Sequence, residues 1–490
     1  MKTKSYFRAT ARLAMALGLG SCVARAAMPV PEIAPTTGID FPVLGKIKPR
    51  PAAEISGSSW SIGGETLDRD YADYAKYKSY LGPLGAKALR VQMGWAKCEK
   101  QPGVYDWGWL DAVVDDARAQ GVQPWLELSY GNPIYPEGGG TGLGGGFPRS
   151  SEALTAWDNW VRASVRHYRD RVSEWEIWNE PDGAKANPAS DYAALFIRTA
   201  KIIRQEQPAG RIYALALAHR APYAAAFLDV MQQQGQLGLI DAITFHGYPR
   251  NPDDTSLTDE LRALITSHGA SFSVRQGESG APARYQENFA LHQISFTETI
   301  QAKWNLRRML AHRAKDVPMN LFTLSDLHYT QANSQRGPAD QDGLRMNYKG
   351  LLETNADMSI ARARPVYAAV QGVCSIFDDT LARIADYPFT STALRGLALA
   401  GYQRQPGGGQ VVAYWFNDAP PAEANGVDLA DVTLPKGKFT KPVLVDLRTG
   451  TVYELPKDRW SQDEHGAVFR GLPVYDAPLL IVEASILRLE

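Results

Sequence analysis

Short apolar runs alternate with longer amphipathic segments over most of this sequence. The amphipathic segments have helical periodicity, which one of them shows at Trp157, Trp160, Val161 and Val165. The apolar runs have the length of buried strands, and eight of them occur, near Ile55 and at residues 88–92, 124–128, 175–178, 212–217, 242–245, 272–277 and 319–324. Eight such alternations predict an α/β fold, a (β/α)8 TIM barrel, at residues 51–386.

The pattern changes beyond residue 386 to short strands separated by turns. Runs of alternating or continuous apolar residues lie at residues 410–415, 442–446 and 479–482. These runs predict a C-terminal antiparallel β-sandwich domain at residues 387–490. Residues 28–50 are rich in proline and weakly patterned, so we expect an N-terminal arm or linker there.

The first residues have the pattern of an export signal. Basic residues precede a short apolar stretch at residues 13–19, and small residues at 24–26 suit a cleavage site, which predicts a signal peptide at residues 1–27. Residues 19–22 also resemble a lipoprotein cleavage box, which would attach a lipid anchor at Cys22. We expect a bacterial protein that is periplasmic or extracellular. Cys98 and Cys374 would remain, and the sequence does not decide whether they form a disulfide.

Composition excludes several classes of partner. The formal net charge is −1 and no long basic run occurs, so we expect no nucleic acid partner. No apolar run is long enough for a membrane span. None of the 8 histidines is paired with another histidine or a cysteine at ligand spacing, so the sequence predicts no metal and no cofactor. The oligomeric state stays open.

Two glutamates follow apolar strands in a similar way. Trp175 to Trp178 read as a buried strand, and Pro181 forces the chain out of it immediately after Glu180. A second strand, at residues 272–277, ends in Glu278. Catalytic groups of α/β barrels lie at the carboxyl ends of the strands, and paired carboxyls indicate glycoside hydrolysis.

The sequence resembles clan A of the retaining glycoside hydrolases, in particular glycoside hydrolase family 39 and its relatives. The motif that carries the resemblance is Trp-Asn-Glu-Pro at residues 178–181, supported by Leu-Arg at 89–90 and by Thr-Phe-His-Gly-Tyr-Pro at 244–249. The resemblance implies that Glu180 is the acid/base and Glu278 the nucleophile.

The same resemblance implies roles in binding substrate. Asn179 matches the residue that contacts the 2-hydroxyl of the sugar. Arg90 and Tyr248 would donate hydrogen bonds to Glu278, and His246 would line the same rim. Each of these side chains could instead serve packing or structural ion pairing.

Four aromatic residues are further candidates for binding substrate. A flat ring can stack on the apolar face of a sugar, and we expect this of Trp60, Trp95, Tyr130 and Tyr135, which lie near predicted strand ends or in early loops. Packing in the core is an equally good interpretation of each.

Together these features predict an exported retaining glycoside hydrolase. Its partner would be a carbohydrate, and it would cleave β-glycosidic linkages in plant or microbial polysaccharides or oligosaccharides by double displacement. Exo action of the β-xylosidase type is slightly favoured, because residues 138–146 and 325–348 are long enough to build a pocket. The alternatives are an endo-acting glycanase, a transglycosylase and a catalytically silent carbohydrate-binding protein.

Overall fold

Eight parallel strands form a closed barrel in which every strand pairs with the next along the chain and the last pairs with the first. They are β1 (Trp60–Gly63), β2 (Ala88–Gln92), β3 (Gln123–Leu128), β4 (Glu174–Ile177), β5 (Arg211–Leu217), β6 (Ala242–His246), β7 (Ser273–Ser279) and β8 (Met319–Leu321). The strands are apolar because helices cover the outside of the barrel and side chains fill its interior. The predicted (β/α)8 barrel is confirmed.

The computed structural model describes residues 37–143, 145–183, 187–292, 294–330 and 344–490. The predicted signal peptide and Cys22 lie outside these residues. Within the described part of the chain, no helix has the length and apolar character that crossing a membrane requires.

The first barrel strand lies further along the chain than predicted. Ile55 follows a short 3₁₀ helix, Ala52–Glu54, and β1 begins at Trp60. Ile55 is nevertheless buried, at 2% exposure. Its apolar character therefore reflects packing of a loop against the core, whereas serines and Gly57 separate it from the strand.

Helices connect the barrel strands. Those of three turns or more are Gly108–Ala119, Ser151–Tyr168, Ala189–Glu206, Ala221–Gln233, Ser256–Ser267, Glu298–Arg313 and Pro365–Ile376. Short helices lie at Tyr74–Tyr77, Leu81–Leu84 and Trp95–Cys98. The hydroxyls of Ser150 and Thr297 accept backbone hydrogen bonds at the starts of two long helices, which fixes where these begin.

The C-terminal region is a sandwich of two antiparallel sheets. In spatial order, the larger sheet contains Val43–Lys46, Thr451–Glu454, Pro442–Asp446, Leu479–Glu483, Gln410–Phe416, Leu397–Arg404 and Leu381–Arg383. The smaller contains Thr390–Ser391, Asp428–Leu434, Gly466–Val474 and Trp460–Asp463. Alternate residues of both sheets interlock in one core, which includes Tyr414, Phe469 and Ile481. The N-terminal segment thus supplies an edge strand to the larger sheet.

The sandwich is fastened to the barrel by polar contacts to loops that follow β6. The indole of Trp415 donates to Asp253 Oδ1 at 2.7 Å. Arg307, in the barrel helix Glu298–Arg313, donates from Nε to Oδ2 of the same carboxyl at 2.7 Å and orients it. Trp415 is buried, so its ring supports packing between sandwich and barrel.

Among the described residues, three antiparallel strand pairs lie outside the barrel and the two sandwich sheets. They pair Glu99–Gln101 with Val104–Tyr105, Leu327–Thr330 with Leu344–Asn347, and Leu352–Thr354 with Ile360–Ala363. Cys98 and Cys374 are free buried thiols, which answers the question left open by the sequence. Burial raises the pKa of both thiols to about 12.

Candidate active site

The chain leaves β4 through an unusual backbone conformation. Trp178 has a φ of 67° and Glu180 a φ of 45°, which side-chain-bearing residues adopt rarely. The amide of Glu180 donates to the carbonyl of Ala216 at 3.0 Å, so the turn is held against the neighbouring strand. Pro181 then starts the 3₁₀ helix Pro181–Gly183. This local geometry fixes Glu180 at the carboxyl end of the barrel.

Glu180 and Glu278 face each other across His246. Nδ1 of His246 lies 2.8 Å from Glu180 Oε1 and 3.6 Å from Glu278 Oε2. The three atoms that could bind an ion, one from each residue, lie within 4.8 Å of one another. The two carboxyls are 17% and 13% exposed, so both are open to the cleft. The two glutamates therefore approach each other more closely than the about 6.5–9.5 Å that separates the carboxyls of inverting glycosidases.

Glu278 is held as a carboxylate by donors on two sides. The hydroxyl of Tyr248 donates to its Oε1 at 2.6 Å, and Arg90 Nη1 donates to its Oε2 at 3.1 Å. Burial alone would raise the pKa of Glu278, but His246, Arg90, Tyr248 and Lys349 together hold that pKa below its usual value. Glu278 is therefore ionised at neutral pH.

All five N–H groups of the buried Arg90 find an acceptor. Besides Glu278, Nη1 donates to Glu65 Oε1 at 3.0 Å, and Nε donates to Glu176 Oε2 at 2.7 Å. Nη2 donates to Glu127 Oε2 and, at 2.9 Å, to Asn179 Oδ1. A single guanidinium therefore orients both Glu278 and the residue before Glu180.

Three of the carboxyls around Arg90 are closed off from the cleft. Glu65, Glu127 and Glu176 are at most 1% exposed. Burial raises the pKa of Glu65 to about 7, and it raises the pKa of Glu127 well above its usual value, although Arg90 opposes both shifts. Glu127 also accepts a hydrogen bond from Ser129 at 2.6 Å, and Glu176 accepts one from Thr244.

Asn179 is oriented by groups on both sides of its amide. Its Oδ1 accepts from Arg90, and its Nδ2 donates to the hydroxyl of Tyr130 at 2.9 Å. Tyr130 is only 2% exposed, with the guanidinium of Arg69 over its ring at 4.8 Å. Tyr130 thus reaches the site through its hydroxyl, and the expected stacking of its ring on sugar is wrong. Because the amide is planar, these two hydrogen bonds also fix the direction of the second N–H of Nδ2.

The other three aromatic candidates lie in the core. Trp60 begins β1, at the opposite end of the barrel, and its indole donates to the carbonyl of Phe377 at 2.8 Å. Trp95 is fully buried and stacks on Tyr135 at 5.5 Å between ring centres. Both donate to the carboxylate of Glu99, at 2.5 and 2.6 Å. The prediction that these rings stack on sugar is wrong, because buried rings offer no face to a ligand.

Comparison with known proteins finds one family for part of the chain. The sequence model described as "Glycosyl hydrolases family 39" matches residues 88–267, which include Arg90, Glu180 and His246. The match covers 180 of the 490 residues (267 − 88 + 1), so this part of the chain resembles family 39 and supports a glycosidase enzyme. No curated protein sequence matches it significantly.

Solved structures share the fold of this glycosidase. A family 39 glycoside hydrolase from Bacteroides cellulosilyticus WH2 has 18% identity and a TM-score of 0.60, over 87% of this chain and 80% of that one. A β-xylosidase from Caulobacter crescentus CB15 has 16% identity and a TM-score of 0.53, over 90% and 98%. The family 39 enzyme from Xanthomonas axonopodis pv. citri has 15% identity and a TM-score of 0.54, over 88% and 95%. At these identities the likeness concerns the fold.

Sequence reasoning missed two charged residues of the glycosidase site. Glu176 lies within the apolar run of β4, and a carboxyl in the middle of a buried strand is the signal that could have found it. Lys349 is 1% exposed, and its Nζ lies 5.3 Å from the centre of the Tyr248 ring. Burial lowers the pKa of Lys349 to about 7, although Glu278 opposes the shift. No pattern in the sequence distinguishes Lys349 from other lysines.

Loops narrow the cleft of the glycosidase beside Glu180. Leu143 is 51% exposed, and its Cδ1 lies 3.8 Å from the position that a Cβ of Gly183 would occupy. Nη1 of Arg69 lies 3.5 Å from the corresponding position of Gly142. The rings of Tyr71 and Tyr329 lie 4.4 Å apart, next to Phe289. Leu143, in the glycine-rich segment, thus lies beside the turn that carries Glu180.

The grouping of Glu180, His246 and Glu278 has the spacing of a cation site. Arg90 already places a fixed positive charge 3.1 Å from Glu278. Because like charges repel strongly in a partly buried site, this guanidinium disfavours a divalent ion between the two glutamates.

Proposed function

We propose that this protein is an exported, retaining glycosidase that cleaves β-glycosidic linkages in plant or microbial polysaccharides or oligosaccharides. The observation that carries the proposal is the pairing of Glu278, which receives hydrogen bonds from Tyr248 and Arg90, with Glu180 on the other side of His246. These donors stabilise the charged form of Glu278, and Glu180 lies within reach of the same histidine.

In the first step, a carboxylate oxygen of Glu278 attacks the anomeric carbon of the sugar. The glycosidic C–O bond breaks, and Glu180 gives its proton to the departing oxygen, so that the leaving group departs as a neutral alcohol. The product is a glycosyl ester of Glu278 with inverted configuration. His246 Nδ1–H then donates to the newly formed carboxylate of Glu180.

In the second step, Glu180 takes a proton from water as the water oxygen attacks the anomeric carbon. The ester bond breaks, Glu278 leaves as a carboxylate, and the second inversion restores the original configuration. Arg90 and Tyr248 stabilise Glu278 when it leaves, since their hydrogen bonds strengthen as its negative charge returns.

Asn179 supports both steps through the 2-hydroxyl of the sugar. One N–H of its amide donates to Tyr130, and the other can donate to the 2-hydroxyl of the sugar. Such a contact accelerates the reaction to the extent that it strengthens in the transition state.

A pocket for short or terminal sugars fits the rim of the cleft. Leu143 lies beside Gly183, and the amide of Gly183 donates to the carbonyl of Glu180 at 2.9 Å, so the rim stands next to the acid/base. The Caulobacter crescentus structure with the same fold is described as a β-xylosidase. Both points favour exo action of the β-xylosidase type. Export rests on the basic and apolar pattern of residues 1–27.

The decisive experiment replaces the nucleophile. Glu278→Ala should reduce kcat by about 10³-fold or more, because no covalent intermediate can form. Azide should then restore turnover of an aryl glycoside and give a glycosyl azide of inverted configuration. Glu174→Ala, at the other end of β4, is the matched control and should retain activity. Activity near that of wild type in Glu278→Ala would refute the assignment.

Product analysis addresses the remaining parts of the proposal. Proton NMR of the first product formed by the wild type should show the configuration of the substrate, whereas the opposite anomer would exclude retention. Release of monosaccharides from a glycan panel supports exo action, and release of oligosaccharides identifies an endo-glycanase.

A further inference from the structure

The cluster around Arg90 contains more acid than base. One guanidinium serves four carboxyls, those of Glu65, Glu127, Glu176 and Glu278. Three are sealed from solvent, and an unpaired buried carboxylate is costly. A state in which all four are carboxylates is therefore unfavourable, because one positive charge would face four negative charges.

Glu65 is the carboxyl that competes most directly with Glu278. Nη1 of Arg90 donates to Glu65 at 3.0 Å and to Glu278 at 3.1 Å. The other oxygen of Glu65, Oε2, is buried without a hydrogen-bond partner among the described residues. A charged oxygen left without donors is much less stable there than a neutral one.

We propose that Glu65 is a positioning residue that keeps its own proton and thereby leaves the positive charge of Arg90 to Glu278. The inference rests on the proposed role of Glu278 as the nucleophile. The charged or titratable groups that face Glu65 are Arg90, Glu278, Tyr77 and Tyr248, with Glu127 and Glu176 on the far side of the guanidinium. Among them only Arg90 favours ionisation of Glu65, and its charge is shared.

A neutral Glu65 would help to keep Glu278 ionised. If Glu65 were ionised, it would draw Nη1 towards itself and place a second negative charge near Glu278, which would raise the pKa of Glu278. As a neutral acid it accepts the same hydrogen bond without that repulsion. Glu278 then stays ionised to lower pH.

The first test is the pH profile of Glu65→Gln, which imitates the protonated side chain. We expect the acidic limb of kcat/KM to move by less than about 0.3 pH unit from that of the wild type. If Glu65 is ionised in the wild type, its removal lowers the limb by about 1 unit, and the proposal is overturned. Glu99→Gln, equally buried but outside the cluster, is the control for the substitution itself.

The second test does not depend on activity. A carboxyl whose folded pKa is raised stabilises the protein below its unfolded pKa, and this stabilisation is lost as pH rises through the folded pKa of about 7. The urea midpoint of wild type should therefore exceed that of Glu65→Gln most at about pH 5 and least at about pH 8. A difference that grows with pH instead shows an ionised Glu65.

Infrared spectroscopy gives a third measurement if the variant is too unstable for denaturation. The wild type should show protonated-carboxyl absorption near neutral pH, to which both Glu65 and Glu127 contribute. The component that disappears as pH rises through about 7 should titrate at a different pH in Glu65→Asp, and an unchanged titration of the whole band refutes the proposal. The denaturation and infrared tests use no substrate. A failure of the proposed glycosidase function would therefore appear in the kinetics and leave these two measurements unchanged.

Discussion

Two clusters of buried side chains in this barrel contain glutamate, and only one of the two clusters reaches the cleft. The Arg90 cluster consists of Arg90, Glu65, Glu127, Glu176 and Glu278. The Trp95 cluster consists of Glu99 and the rings of Trp95, Tyr135, Trp157 and Trp160. The first opens to the cleft through Glu278, whereas the second is closed.

The difference lies in the donors. Glu99 accepts from the indole of Trp95, the hydroxyl of Tyr135 and, at 2.6 Å, the amide of Gly103. These neutral donors satisfy one carboxyl and tie a loop to the aromatic core. Arg90 instead is charged and donates to several carboxyls. Its hydrogen bond to one carboxyl can therefore strengthen when the charge of that carboxyl changes during a reaction. The glutamates beside Arg90 are suited to catalysis, whereas Glu99, among aromatic rings, is suited to a structural role.

Removal of Arg90 should have the largest effect on this contrast. Arg90→Leu leaves the carboxyls without a counter-charge, so we expect the free energy of unfolding at neutral pH to fall by about 3–5 kcal/mol. We expect kcat/KM to fall by about 10³-fold, because Glu278 and Asn179 lose a common donor. Urea denaturation and steady-state kinetics measure the two losses.

Arg211→Leu is the matched control for the loss of an arginine. Its ion pair with Glu174 is half exposed at 3.7 Å, so its removal should cost at most about 1 kcal/mol. Equal losses in both variants would contradict a special role for the Arg90 cluster. The deficit of Arg90→Leu should also shrink in acid, since protonated carboxyls need no counter-charge.

A smaller effect is expected from the other donor to Glu278. Tyr248→Phe removes a 2.6 Å hydrogen bond to the charged carboxyl, and such bonds contribute about 1.5–3 kcal/mol. We expect kcat/KM to fall by about 10- to 100-fold, and the acidic limb of its pH profile to move upwards, because the ionised form of Glu278 is stabilised less.

Tyr414→Phe in the sandwich is the control for this change. Its hydroxyl donates to the carbonyl of Pro473 at 3.1 Å, far from the proposed chemistry, so its pH profile should match that of the wild type. An unmoved acidic limb in Tyr248→Phe would show that Tyr248 does not stabilise the charge of Glu278.

The positions of the two catalytic candidates could be predicted from the sequence because the signal is local. A buried strand followed by Glu180 and Pro181 indicates both the end of the barrel and the residue that leaves it. Glu278 follows from the same pattern 98 residues later (278 − 180), at the end of β7. The alternation of strands and helices predicted the barrel equally well, because each strand or helix is recognised from a few neighbouring residues.

The contact between Arg90 and Glu278 was expected from the resemblance, but the rest of the Arg90 cluster could not be predicted, because it is assembled from different strands and loops. Glu65, Glu127 and Glu176 meet only when the barrel closes and the register of β1, β3 and β4 is set. The aromatic residues failed for another reason. An apolar ring at a strand end has the same sequence signal whether it faces a ligand or the core, as Trp95 shows.

The smallest effect on activity is expected in the Trp95 cluster. Trp95→Phe keeps an aromatic ring but removes the indole donor to Glu99, so the free energy of unfolding should fall by about 1–3 kcal/mol. Because Trp95 is 0% exposed, KM for a sugar substrate should stay within about 2-fold of wild type.

Tyr130→Phe supplies the contrast, since it removes the hydroxyl that orients Asn179 and should lower kcat with little change in the urea midpoint. If Trp95→Phe raised KM strongly while the midpoint stayed constant, Trp95 would contact sugar after all, and the division between a catalytic Arg90 cluster and a structural Trp95 cluster would fail.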